Sequence, residues 1–509
     1  MTAGKVFLIG AGPGDPGLIT VRGLELLSTA DVVLYDALAH PALLEACPRA
    51  DKRNVGKRYG EDSAVQGAIN RELITLARAG KRVVRLKGGD PLLFARGAEE
   101  IQALHAAGIE FEIVPGVSAA FAASAFGGIP LTHRELSSSV TFITGSDREG
   151  KEWSPESWQK LATATDTICV FMGMRRIEDI MLAIIAGGRA RETPVAVVQW
   201  AGRPEQRVVT GTLATIAAQV RAEGIANPAV IVVGEVVRLR PELRWFDNRP
   251  LFGASILVPR PAEQGRVTAT AIRARGASAR LLPAIEIREP SDPAPLARAI
   301  ARLGDFDWVL FTSANGVQRF TAALTRAGLD ARAFARAKLG AIGPKTASAL
   351  EAFGLRADAV AEEFIGEGLA RRVLQDGVPR RVLLARALVA RDALPDLLRK
   401  AGAVVDVVPV YETVASDAGE ALRGSFERRE IDVALFTSSS TVNAVVESLG
   451  ARATELLSSV TVASIGPITS QTLSELGVRV DVVATTFTVE GLLDALEAHF
   501  SRQSRDAIT

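Results

Sequence analysis

The last half of the chain repeats itself, and the repeat restricts its fold more than any other feature. FDWVLFTSANGV from Phe306 is matched by IDVALFTSSSTV from Ile431, and LGAIGPKTASALEAFGLRAD from Leu339 by VASIGPITSQTLSELGVRVD from Val462. The paired phenylalanines Phe311 and Phe436 lie 125 residues apart and the paired glycines Gly343 and Gly466 lie 123 apart. Each copy reads as buried strand, polar turn and helix in the same order, so the near-constant offset predicts two similar α/β lobes. SILVPRP at Ser255 and VLLARAL at Val382 are expected to open the two copies.

The preceding half shows the same rhythm without the repeat. Short apolar runs at Val6 to Ile9, Val32 to Leu34, Val83 to Leu86, Val140 to Thr144, Thr167 to Met172, Val195 to Val198 and Val230 to Val233 alternate with Ala/Leu/Arg-rich helical stretches, the first at Leu18 to Ser28. Such alternation argues α/β architecture. It breaks at PELRWFDNRPLF, Pro241 to Phe252, where two prolines, Asn248 and bulky rings mark the main boundary. At roughly 100–200 residues per domain, 509 residues make three or four compact units.

Several classes are excluded early. Lys and Arg number 59 against 58 Asp and Glu, a net charge of +1, which gives none of the one-signed field expected of a nucleic-acid or anionic-membrane binder. The expected partners are small molecules, with no nucleic acid and no membrane. Cys47 and Cys169 are too few for a disulfide framework, and His40, His105, His133 and His499 are dispersed, so no metal is expected. The uncharged run Ile113 to Thr132 carries Pro115, Pro130 and three glycines, and reads as a loop and a packed helix rather than a membrane span. MTAGKVFLIGAGPGD lacks the form of a secretory signal, and a cytoplasmic location is expected.

GAGPGDP, Gly10 to Pro16, follows a strand and precedes a helix, where glycines let backbone approach a ligand. One reading is a dinucleotide fingerprint, with Asp36 in VVLYD as the ribose-binding carboxylate. In that register, however, the third glycine falls on Asp15, whose charge repels phosphate, and Pro13 removes an amide from the loop. A plain structural turn is the other reading. RLKGGDP from Arg85 and PGVSAA from Pro115 place two more turns at strand ends, and together the three can line one cleft.

Through VFLIGAGPGDPGLITVRG, VVLYD, VGKR, VVRLKGGDPLLFARGAEE, IVPGVSAAFAASAFGGIPLTHR, VFMGM and NPAVIVVGEVV, the stretch from about Lys5 to Phe246 resembles the tetrapyrrole methylases, specifically the uroporphyrinogen-III C-methyltransferases. The resemblance implies a two-lobed enzyme that binds S-adenosyl-L-methionine in its cleft and methylates uroporphyrinogen III at C-2 and C-7 to give precorrin-2. It places cofactor contacts at Pro13, Gly88, Gly89, Asp90, Leu93, Ser118, Ala119, Met172, Ala201 and Ala229, a proton acceptor at Asp36 and a proton donor at Lys57. Without it, Met172 and the alanines read as core, Asp36 as a solvated strand-end carboxylate and Lys57 as a surface lysine. A substrate with eight carboxylates needs cations around the cleft, and Arg85, Lys87 and Arg134 are the candidates. A homodimer through this half is implied by the resemblance alone.

The duplicated turns at Thr312-Ser313 and Thr437-Ser438, with Thr469 in the second IGP turn, have the hydroxyls and helix-start amides of anion sites, and equally the residues a helix N-cap needs. From Gly253 to about Phe500, LVPRP, FTSANGV, GAIGPKT, VPVYETV, LFTSSSTV and SIGPITSQTL resemble uroporphyrinogen-III synthase. This implies closure of hydroxymethylbilane with inversion of ring D. Tyr411 in VPVYETV stands at the family's active-site tyrosine, and Thr312, Ser313, Thr437, Ser438 and Thr469 are candidate substrate contacts.

The expected fold class is α/β: a two-lobed methylase at 1–246, a linker at 247–252, and a two-lobed, internally duplicated synthase at 253–502 before a tail at 503–509. One synthase lobe is expected from 253–286 plus 413–500 and the other from 287–412. The product of the second half is the substrate of the first, so the expected function is a bifunctional enzyme making precorrin-2 for sirohaem or cobalamin. The alternative is an active methyltransferase whose C-terminal half only binds tetrapyrrole.

Overall fold

The computed structural model describes residues 4–56, 63–145, 155–334, 336–363, 365–390 and 392–506. The chain forms two compact units that part between Ser255 and Ile256, with Ala271–Ser278 and the chain from Glu497 grouping with the first.

The apolar runs of the first unit become strands β1 (Lys5–Gly10), β2 (Val32–Tyr35), β3 (Asp51–Asn54), β4 (Arg82–Lys87) and β5 (Glu110–Val114), in one sheet of order β3-β2-β4-β1-β5. Every pairing is parallel. Helices cover its faces, so the central strands are buried on both sides and read as continuous Val/Ile/Leu rather than alternating. The loops after β1, β2, β4 and β5 therefore leave the same edge, where ligands of parallel sheets bind. The first helix spans Val21–Ser28 and not Leu18 onward: Thr20 accepts the Gly23 N–H at 3.0 Å, and Pro16–Leu18 form a separate turn that begins at Asp15.

A second sheet has the order β6-β7-β10-β8-β9, built from β6 (Val140–Thr144), β7 (Thr167–Phe171), β8 (Pro194–Gln199), β9 (Arg207–Thr212) and β10 (Ala229–Val233). β7 stops at Phe171 because Met172 takes a left-handed φ of +55°. The uncharged run resolves into the end of β5 and the helix Ala119–Gly127, and no helix among the described residues is long and apolar enough to cross a membrane. Cys169 lies inside this sheet, and burial pushes its thiol up to about 12. Alkylation of Cys169 at neutral pH is therefore expected only on unfolding; rapid labelling of the native protein, read by mass, would contradict this packing.

The strands of the second unit form two sheets, and Ile285–Glu286 and Thr413–Ala415, expected in the lobe of 253–286 and 413–500, pair in the sheet of the other lobe. One sheet, β12-β11-β19-β20-β21, uses β11 (Ser255–Val258), β12 (Ser278–Leu281), β19 (Val433–Phe436), β20 (Thr461–Ser464) and β21 (Val482–Val483). The other, β13-β18-β17-β14-β15-β16, uses β13 (Ile285–Arg288), β14 (Trp308–Phe311), β15 (Lys338–Ala341), β16 (Ala359–Val360), β17 (Arg381–Ala387) and β18 (Val404–Ala415). The strands that open the two sequence repeats are exchanged: β11 pairs with β19 of the second copy, and β17 with β14 of the first. The two crossings between lobes run side by side, held by antiparallel β13 and β18 and by Ser416, whose N–H donates to Ala284 O at 3.1 Å.

Candidate functional site

At the C-terminal edge of the first sheet three Gly-rich loops pack backbone against backbone. A Cβ on Gly10 would lie 2.5 Å from Gly116 Cα, and one on Gly116 would lie 2.3 Å from Gly89 O. Ala11 N–H donates to Lys87 O at 2.7 Å, and Gly12 and Gly89 exchange bonds of 3.3 and 2.9 Å. Asp90 joins the second loop to the third, accepting from Leu92 N–H at 2.8 Å and Gly116 N–H at 3.1 Å, and its carboxylate retains lone pairs for a further donor. Ser118 caps the helix that starts at Ala119. In the first loop, the amides of Ala11, Gly12 and Gly17 are held by Lys87, Gly89 and Asp15 and are not free to cradle a phosphate, which counts against the dinucleotide reading.

Backbone strain is concentrated in the segment after the second loop and just past the ends of β7 and β8. Of five described non-glycine residues at positive φ, four are Phe94, Arg96, Met172 and Trp200, in or beside the stretches expected to touch cofactor; the fifth is Arg429. Each conformation costs about 1–3 kcal/mol, and such strain clusters at ligand sites. Pairing of Val230 with Phe171 and of Ala229 with Gln199 sets Met172, Ala229 and Ala201 along one edge of the second sheet. Phe94 reaches across from the first, its ring 5.0 Å from Phe171. Phe94 and Met172 are 38% and 37% exposed, while Ala201 is buried. Pro13, Gly88, Gly89, Asp90 and Leu93 are all partly exposed.

Asp36, at the end of β2, is held by a charged cluster. Arg85 Nη2 donates to Asp36 Oδ1 at 2.5 Å and Arg85 Nε to Glu100 Oε1 at 3.2 Å, and Lys87 Nζ donates to the same Glu100 oxygen at 2.9 Å. Arg85 and Lys87, expected as substrate cations, are instead buried at 3% and 2% exposure and already matched by internal carboxylates. Burial pulls the Arg85 guanidinium down, but Asp36 and Glu100 outweigh it and raise it; burial and then Arg85 lower the Lys87 ammonium. Arg134 is exposed and has no carboxylate partner among the described residues. Lys57 lies outside the described residues. Glu100 was not singled out in the sequence, where it reads as an ordinary residue of a helix first turn.

In the second unit, the Tyr411 hydroxyl lies 3.1 Å from Ser313 Oγ, which also caps its helix by accepting Gly316 N–H at 3.0 Å. A register shift near the end of β17 sets Tyr411 opposite Ala387, and such an irregularity re-aims side chains. Ser438 caps the corresponding helix of the other lobe, and Thr312 and Thr437 are partly exposed beside these caps. Thr469 is 5% exposed and its repeat counterpart Thr346 3%, so little of either side chain is open. Arg260 of LVPRP, which looks in sequence like an ordinary turn residue, follows β11 and donates to Thr268 Oγ1 and Gln264 Oε1, each at 2.9 Å. Gln264 in turn donates to Asn315 Oδ1 in the other lobe at 3.0 Å.

Comparison with known proteins gives two separate family matches, Tetrapyrrole (Corrin/Porphyrin) Methylases over residues 5–217 and Uroporphyrinogen-III synthase HemD over residues 266–494. The "Porphyrin biosynthesis protein HemD" of Ruminiclostridium josui is 38% identical over 502 residues, covering 97% of this chain and 98% of that protein. The "Siroheme synthase" of Azotobacter vinelandii is 49% identical over 247 residues, 48% of this chain, which spans only 53% of that relative. A solved uroporphyrin-III C-methyl transferase from Thermus thermophilus, complexed with S-adenyl homocysteine, is 38% identical, covering 46% of this chain and 99% of its own, with a TM-score of 0.40.

Proposed function

The chain belongs to the porphyrin-biosynthesis proteins that join a tetrapyrrole methylase to a uroporphyrinogen-III synthase, and from that premise we propose that it closes hydroxymethylbilane to uroporphyrinogen III and methylates that product at C-2 and C-7 to give precorrin-2. It is a bifunctional enzyme of tetrapyrrole biosynthesis whose methylase half depends on S-adenosyl-L-methionine. The observation that carries the reading is the meeting of three glycine loops and the Asp36 carboxylate at one edge of the first sheet, with Phe94 after the second loop packed on Phe171, next to the strained Met172.

The residues there fit the methyl donor. Glycines where the three loops meet admit close backbone contact, and Phe94 and Met172 offer exposed apolar surface. When bound, S-adenosyl-L-methionine supplies a sulfonium methyl to an electron-rich pyrrole carbon. The loops and Met172 hold donor and pyrrole in line, which is the main requirement of such a transfer. Asp36, 27% exposed at its side chain, accepts the proton released as the macrocycle rearranges, and Lys57 is the proposed donor. Arg134 offers a cation to the substrate carboxylates. In the other half, the Ser313–Tyr411 pair assists departure of the hydroxymethyl oxygen, while hydroxyls and amides at Thr312, Thr437 and Ser438 hold the substrate carboxylates. A homodimer through the methylase half, a cytoplasmic location and an end use in sirohaem or cobalamin are part of the same reading.

The test is anaerobic incubation of the purified chain with hydroxymethylbilane, with and without S-adenosyl-L-methionine, followed by mass and isomer analysis. The expected result is type III isomer without the donor and a gain of two methyl groups with it. Type I isomer alone would leave the C-terminal half as a tetrapyrrole-binding module. Tyr411→Phe removes one hydrogen bond of about 0.5–1.5 kcal/mol, and is expected to slow type III formation about two- to tenfold with folding intact, since the ring stays in the core. A loss beyond about a hundredfold would instead make the hydroxyl a proton donor in the rate-limiting step.

A further inference from the structure

We propose that Glu100 is a positioning residue that, through Arg85, aims the Asp36 carboxylate and sets its affinity for a proton. The charged chain behind Asp36 is closed on every side but one. Glu100 is 0% exposed, Lys87 2%, Arg85 3% and Gln66 5%, whereas the Asp36 side chain is 27% exposed. Glutamate, lysine and arginine are rarely buried so fully, and burying paired charges gives little or no net stability, so packing alone does not account for the cluster.

The geometry is that of a brace. Glu100 Oε1 accepts three bonds, from Lys87 Nζ at 2.9 Å, Gln66 Nε2 at 3.0 Å and Arg85 Nε at 3.2 Å. Arg85 Nη1 lies against the carbonyls of Leu86 and Leu34 at 3.3 and 3.4 Å, which fixes the guanidinium plane. Its remaining arm, Nη2, meets Asp36 Oδ1 at 2.5 Å. Glu100 comes from the helix Gly97–Ala106, immediately after the second Gly-rich loop, and Arg85 and Lys87 from β4, so the loop that lines the cleft and the carboxylate in it share one support. Glu100 Oε2 has no hydrogen-bond partner, so the brace retains an unfilled acceptor in its interior.

Two carboxylates face two cations, and a change in either sign is felt at the accessible end. Arg85 contacts Asp36 directly, Lys87 and Glu100 stand behind it, Gln66 and Asn70 are neutral, and Arg203 donates to the backbone oxygen of Leu38 at 2.9 Å. Lys57 lies outside the described residues. Removing the Glu100 charge leaves Asp36 the sole counter-ion of two cations and favours its ionised form; removing the Lys87 charge does the reverse.

The proton-transfer meaning of this brace rests on the reading of Asp36 as proton acceptor, and the experiment separates the two. In the full chain labelled with 13C at aspartate carboxyls, the Asp36 resonance is assigned by its loss in Asp36→Asn and titrated in Glu100→Gln and Lys87→Gln. The expected midpoint falls in Glu100→Gln and rises in Lys87→Gln, each by about one pH unit, a tenfold change in proton affinity. The acidic limb of methyl transfer moves with it, and affinity for S-adenosylhomocysteine, measured by calorimetry, stays within about twofold. A residue that only packs would not move the midpoint in opposite directions. Unmoved midpoints in the folded variants, or shifts of the same sign, overturn the inference; should Glu100→Gln fail to fold, Lys87→Gln decides alone. Midpoints that move as stated while the activity limb stays fixed uphold the brace and overturn the role of Asp36.

Discussion

Asp36→Asn is expected to lower methyl transfer by about 10²- to 10⁴-fold, the usual worth of a positioned acid or base, while formation of uroporphyrinogen III proceeds at the wild-type rate. The substitution keeps the size of the side chain and one oxygen for the Arg85 Nη2 bond. It removes the charge that can take a proton. Because the Gly-rich loops are joined by their own backbone bonds, affinity for S-adenosylhomocysteine should change little, and the loss should fall on kcat. Mass analysis of the methylated product, with type III formation followed in the same sample, is the measurement. A variant that methylates within threefold of the wild type would remove Asp36 from the chemistry.

Gly116→Ala is expected to weaken S-adenosylhomocysteine binding by about 100-fold or more, with a destabilisation of about 3 kcal/mol in the methylase half. The new Cβ would stand 2.3 Å from Gly89 O and 2.7 Å from Gly10 Cα, and all of these atoms are backbone, so no flexible side chain can give way. The three loops must then move apart, and about 1 Å of misplacement at a reacting centre is worth roughly 10² in rate or affinity. Gly108→Ala is the control: its φ is +68° but nothing lies within 4 Å of the added Cβ, so only local backbone strain is expected, with binding preserved. Calorimetric titration and thermal unfolding of both variants distinguish crowding from strain. Equal behaviour of the two would mean that the loops yield.

Much of this architecture could be read from residues alone, for a physical reason. Strands covered on both faces are continuous apolar runs whether their neighbours are parallel, as for β1, β2 and β4, or antiparallel, as for β10 between β7 and β8, so all six stood out, and the repeat of FTS and IGP turns pointed to two lobes. β3 was invisible because DKRN is an exposed edge strand whose pairing is set by its neighbour rather than by its own composition. Arg85 and Lys87 alternate with apolar residues in VVRLKGG and read as cations aimed outward. Their burial depends on Glu100 and Asp36, which come from other parts of the chain. The low exposure of Thr469 was hidden for a similar reason, since a threonine in a helix first turn looks the same in sequence whether it is open or buried. The pairing of Ser313 with Tyr411 across 98 residues joined two separately chosen positions that no local pattern links.

The exchange of β11 and β17 dictates an order of assembly. Every strand of the six-stranded lobe lies between Ile285 and Ala415, so that lobe is complete once this stretch has been synthesised. β11 is made earlier, yet Ile256 has no partner in β19 until Val433 emerges. During synthesis one lobe therefore matures inside the unfinished other, whose first strand must wait with an open edge. A chain halted soon after Ala415 would hold one whole lobe and a β11–β12 ribbon with nothing to join, and pairing of that waiting edge with a neighbouring nascent chain is the hazard this topology carries.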